Sequence, residues 1–71
     1  MQQIVQPNRT LLVDGPASVQ LISGNAEVFG KPIKEAQRVV VREGKRMPFF
    51  AAETAVLQVL LGANASIHEF E

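Results

Sequence analysis

Ser18-Val19-Gln20-Leu21-Ile22-Ser23-Gly24-Asn25-Ala26-Glu27-Val28-Phe29-Gly30 is the stretch on which the fold class turns. Apolar residues alternate with polar ones on both sides of Gly24-Asn25, the signature of half-buried strands rather than of a helix. Gly24-Asn25 is also a two-residue pair suited to a primed turn. The stretch therefore predicts a hairpin, with Ser23 opposite Ala26, Ile22 opposite Glu27, Leu21 opposite Val28 and Gln20 opposite Phe29. One face then carries Val19, Leu21, Ala26 and Val28 and is expected in the core; the other carries Gln20, Ile22, Glu27 and Phe29.

Outward from this stretch, turn signals recur at short intervals: Pro7-Asn8, Asp14-Gly15-Pro16, Gly30-Lys31-Pro32, Glu43-Gly44 and Gly62-Ala63-Asn64. The segments between them are rich in Val, Ile, Leu and Phe, which predicts an all-β fold, a small β-sandwich of about seven or eight short antiparallel strands. Residues 1–71 are expected to form one domain. Helix-forming composition is confined to Lys34-Glu35-Ala36-Gln37, enough for one turn at most. The two-residue period places Val39 and Val41 inward and Arg38, Val40 and Arg42 outward, and groups Leu57, Val59 and Leu61 on the core side. Phe49 and Phe50 cannot both point inward from one regular strand, so one of them is a candidate for the surface.

The chain has 71 residues, 7 basic and 7 acidic, and no Cys. A domain of this size buries only about 60% of the surface of its unfolded chain. Without disulfides or thiolate metal sites, the apolar core must hold it together. No apolar run approaches the ~18 residues of a membrane span and no signal peptide is evident, so the expected location is cytoplasmic, with no membrane partner. The balanced charge offers no global attraction for nucleic acid. Locally, six of the seven cations, Lys31, Lys34, Arg38, Arg42, Lys45 and Arg46, fall between positions 31 and 46.

Motifs with chemical content are few. Gly24 to Lys31 has five residues between its glycines where a phosphate-binding loop has four, and Pro32 stands where the magnesium-binding hydroxyl belongs. Lys45 beside Gly44 bears only a faint likeness to the tip lysine of a biotinyl or lipoyl carrier. His68 is the only histidine, which leaves no imidazole cluster for a metal, and a Ser-His-Asp arrangement is not expected. Asn8-Arg9-Thr10 and Asn64-Ala65-Ser66 match the glycosylation pattern but read as loop residues in a chain expected to be cytoplasmic. Phe29, Phe49, Phe50 and Phe70 are not interleaved with the cations on one strand, so they read as core residues rather than as a base-stacking platform.

As a unit, Gly24-Asn25-Ala26-Glu27-Val28-Phe29-Gly30 resembles the Gly-x-Ala-Glu-(Ile/Val)-Phe-Gly element in the N-terminal domain of the RNA 5′-hydroxyl polynucleotide kinase family, which includes the kinase subunit of the pre-mRNA cleavage complex and archaeal and ribosomal-RNA-processing relatives. Gly44-Lys45-Arg46-Met47-Pro48-Phe49-Phe50-Ala51 is similar to that domain's Gly-x-(basic)-x-Pro-hydrophobic segment, and Leu57-Gln58-Val59 to its next strand. The resemblance covers roughly residues 11 to 61 and departs at the short N-terminal approach, Met1 to Asn8.

It implies a non-catalytic β-sandwich that packs on a P-loop kinase domain of the same polypeptide, with RNA engaged only through the parent protein. ATP and magnesium would be cofactors of that kinase domain; the 71 residues carry none of its phosphate-binding loop or metal-binding acids. No catalytic residue is carried over, and the module is not expected to be an enzyme. The resemblance places Arg46, two residues before Pro48, near the adenine of ATP; the residue types alone equally allow a solvated turn arginine. The alternative is a stand-alone β-barrel that binds nucleic acid or another protein.

Overall fold

The computed structural model describes residues 1–70, with the side chain of Phe70 outside the described part. Its strands are β1 (Gln2–Val5), β2 (Arg9–Asp14), β3 (Ala17–Gly24), β4 (Glu27–Val28), β5 (Lys31–Pro32), β6 (Arg38–Val41), β7 (Arg46–Ala51), β8 (Ala55–Leu61) and β9 (Ser66–Phe70). They form a four-stranded sheet in the order β1-β8-β3-β6 and a five-stranded sheet in the order β5-β4-β7-β2-β9, with every ladder antiparallel. The fold is thus the expected all-β sandwich, with nine short strands among the described residues and no helix. Lys34 to Gln37 makes a single turn closed by the Gln37 amide donating to the Lys34 carbonyl.

The inner faces follow the two-residue period. The four-stranded sheet contributes Val5, Ala17, Val19, Leu21, Val41, Ala55, Leu57 and Val59; the five-stranded sheet contributes Leu11, Val13, Phe49 and Ala51; Ala26 and Ile33 close the core from connecting segments. Val28 and Val39 pack against it from partly buried positions. No polar or charged residue is fully buried among the described residues. The core is wholly apolar, and its non-directional burial is the main stabilising term for so small a domain.

The pairing of Ser18 to Gly30 differs from the expected hairpin. β3 pairs with β8 and β6, and β4 pairs with β7 and β5, so Leu21 lies opposite Leu57 and Val28 opposite Phe49. Gly24 does adopt positive φ, +88°, but as the last residue of β3, opposite Ala55. An added Cβ there would run into the Thr54 carbonyl. Gly24-Asn25 therefore carries the chain from one sheet to the other instead of reversing it within one. The close approach to β8 and a bulge between Leu21 and Ser23 break the alternation that a hairpin would have continued. The tight reversal lies five residues further on. Phe29 (φ +52°) and Gly30 (φ +80°) join β4 to β5, both with the positive φ of a primed two-residue turn.

Ala26 and Val28 nevertheless face the core, because crossing between sheets in a sandwich preserves which face is inside. Leu61 does not: it is 37% exposed at the open end of β8, where the opposing sheet no longer covers it. Phe49 is fully buried and Phe50 lies half-buried on the outer face. Of the phenylalanines read above as core residues, Phe29 is instead 69% exposed, because it sits in the β4–β5 turn, and Phe70 has its side chain outside the described residues.

Candidate functional site

Three strands of the five-stranded sheet assemble the most concentrated polar cluster. β2 is flanked by β7 and β9, and the ladder sets Asp14 directly opposite both Arg46 and Ser66. Outward-facing residues directly opposite on neighbouring strands lie close enough for their side chains to meet. Arg46 donates from Nε to Asp14 Oδ1 at 2.5 Å, with Nη2 3.4 Å from Oδ2. The Ser66 hydroxyl donates to Oδ2 at 3.1 Å. His68 stands one step along β9, its Nε2 3.8 Å from Asp14 Oδ2 and 3.5 Å from Ser66 Oγ.

Asp14 is the hub. The hydrogen bond from Arg46 holds its carboxyl below the usual carboxylate range, partial desolvation works against that shift, and the Ser66 hydroxyl and the nearby charges assist it. The same contact raises the Arg46 pKa. Asp14 keeps 22% of its side-chain surface, whereas Arg46 keeps 62% and His68 61%. One edge of the guanidinium is thus tied down while much of its planar surface faces solvent.

Arg46 is accordingly the first residue of a strand, oriented by a carboxylate, and not a freely solvated turn residue. The remaining cations do not join it in one stripe. Lys31 lies on the outer strand of one sheet and Arg38 on the outer strand of the other, so a segment that is basic in sequence is spread over two sheets.

Asp14, Ser66 and His68 have no signal in the sequence that links them to Arg46. Asp14 precedes Gly15-Pro16 and reads as a turn residue, and 52 positions separate it from Ser66. Although these three are the residue types of a hydrolase triad, their geometry is different. In a charge relay the carboxylate holds one imidazole nitrogen and the serine the other. Here Asp14 and Ser66 both approach Nε2, and the hydroxyl already donates to the carboxylate. Among the described residues no three His, Asp or Glu side chains gather as a metal site, and no helix is long and apolar enough to cross a membrane.

A scan against protein-family models finds no match for this chain, and a search of curated proteins finds none either.

Proposed function

We propose that this chain is a non-catalytic β-sandwich accessory domain of a polynucleotide 5′-hydroxyl kinase-like RNA-processing protein. In this reading it packs on a P-loop ATPase domain and helps to hold the adenine of ATP. The observation that carries the reading is the state of Arg46: Asp14 anchors its Nε edge at 2.5 Å while the side chain stays 62% exposed. A guanidinium held flat by one edge offers its face to a base and its remaining N–H groups to ring acceptors, with little rotamer freedom left to lose. The resemblance of Gly24–Gly30 and Gly44–Ala51 to the family's two elements supplies the partner. β9 belongs to the sheet that carries Arg46, so a domain following it would be tethered to that sheet.

By itself the 71-residue chain should bind ATP no more tightly than millimolar, because one stacking contact cannot offset lost translational and rotational freedom without phosphate contacts. In the longer protein, Arg46→Ala should weaken ATP binding by about 1 to 2 kcal/mol, the scale of a charged hydrogen bond or a partly desolvated cation–π contact, with the chemical step little changed. Calorimetric titration of ATP into the short chain, the longer protein and the variant tests both halves. Micromolar binding to the short chain would sink the accessory role, and an unchanged affinity in the longer variant would remove Arg46 from the site.

A further inference from the structure

Phe29 and Arg46 stand at the same end of the five-stranded sheet. Phe29 occupies the two-residue turn between β4 and β5, and β4 runs beside β7. One step past the Val28–Phe49 pair, that ladder brings Phe29 level with Pro48. Arg46 is two residues further along β7, so the two Cα atoms are about 8 Å apart, one strand spacing across and two residues along. Phe49 and Ala51 point into the core, which puts Pro48 and Arg46 on the outer face with Leu12 and Asp14, their partners on β2.

Both residues expose a planar group. The Phe29 ring is mostly solvent-exposed although its backbone holds a positive φ that is unfavourable for a bulky side chain. Burial within the chain does not offset that cost, and backbone strain of this kind gathers where ligands are held. The Arg46 guanidinium is tied to Asp14 along its Nε edge and is otherwise largely exposed. Pro48, half-buried at the level between them, is apolar and has no N–H to satisfy.

We propose, building on the reading of Arg46 as a base contact, that Phe29 is the second wall of that site: one nucleobase rests over Pro48 with the Phe29 ring on one side and the guanidinium on the other. A base suits this pair because its π-faces stack on the ring and attract the cation, while its ring nitrogens accept from the guanidinium N–H groups that Asp14 leaves free. An aliphatic side chain in the same place would cover the guanidinium and give those N–H groups no acceptor. Lys31, opposite Val28, and Lys45, next to Arg46, are both exposed and flank the two walls. Of the nearby acids, Asp14 is engaged by Arg46, Glu27 lies back along β4 opposite Phe50, and Glu43 is in the turn before Lys45, bridged to Gly15. The flanking lysines favour a base that carries phosphate.

One base held without a phosphate clamp binds weakly, so the test is a chemical-shift titration of the 71-residue chain with AMP into the millimolar range. The amide signals of Phe29, Gly30, Arg46 and Met47 should move together and saturate at one concentration. Adenosine should give the same pattern and ribose 5-phosphate none. Phe29→Asn should weaken AMP binding at least about fivefold, the lower end of what base–aromatic stacking contributes, and Phe29→Trp should retain it. Urea midpoints show whether each variant folds, and Phe29→Leu replaces Phe29→Asn if that one does not.

Hexa-adenylate distinguishes a free nucleotide from a strand. Its affinity per base should match that of AMP, and much tighter binding per base would overturn the single-base slot in favour of a surface that follows a strand. Shifts at Arg46 without any at Phe29, or a folded Phe29→Asn that binds AMP like the wild type, would remove Phe29 and leave the role of Arg46 standing. Shifts at neither residue would remove the base site from this chain altogether. Calorimetry on the longer protein tests the kinase reading separately, since the slot requires no second domain.

Discussion

Across the β2–β7 ladder, Arg46 Nε lies 2.5 Å from Asp14 Oδ1, which joins the end of one strand to the start of another 32 positions away. The contact makes the Asp14 carboxylate more acidic in the folded chain than the ordinary value of about 3.9. A carboxyl whose folded pKa is depressed stabilises the native state above its unfolded pKa, and that contribution is lost as pH falls through the folded value. Wild type should therefore lose stability below about pH 4 more steeply than Asp14→Asn, which has no proton to take up at this position. Urea midpoints measured from neutral to strongly acidic pH check this. Because the pair is largely solvated, the difference should be modest and should shrink in high salt. Parallel pH profiles for the two proteins would show that the contact adds nothing to stability.

Leu21 is 2% exposed at the centre of the inner face of β3. Leu21→Ala should cost roughly 2 to 5 kcal/mol through lost transfer energy and the cavity left behind, a large part of a typical margin of about 5 to 15 kcal/mol. Its neighbour Gln20 faces outward and donates from Nε2 to the Ala36 carbonyl at 3.0 Å at an exposed site. Gln20→Ala should cost no more than about 1 kcal/mol. Chemical denaturation of both variants measures the contrast, and similar losses would contradict the assignment of faces.

Gly24 and Gly30 share positive φ, but their surroundings differ. Nothing lies within 4 Å of a Cβ added to Gly30, whereas one on Gly24 collides with the Thr54 carbonyl. Gly30→Ala should thus cost only the left-handed backbone penalty of roughly 1 to 2 kcal/mol. Gly24→Ala adds displacement of β8 and should cost clearly more. Thermal unfolding of the two variants ranks them, and equal losses would mean that β3 and β8 separate easily at this point.

Phe29 holds φ at +52° with 69% of its surface exposed, an unfavourable conformation for a bulky residue that gains little burial. Phe29→Asn, which suits a primed turn before glycine, should stabilise the chain by about 1 kcal/mol. Differential unfolding of wild type and variant reports the sign. A destabilised variant would show that the Phe29 ring contributes packing that outweighs its backbone cost.

Strand composition, turn spacing and the alternation of Val19, Leu21, Val39, Val41, Leu57 and Val59 determined the class of fold and which side of each strand is buried. They did so because the side-chain period of a strand is a local property of the backbone. Which strands pair is not local. Gly24-Asn25 meets the conformational requirement of a hairpin, but the approach of Thr54 and Ala55 to Gly24 makes it a crossing between sheets. Leu61 keeps the inward phase of β8 and is still exposed, because covering it depends on how far the opposing sheet extends. Arg46 was legible as a basic residue two positions before Pro48. Its partner was not, since only the β2–β7 and β2–β9 ladders bring Asp14, Ser66 and His68 to it across gaps in the chain too long for local sequence to encode.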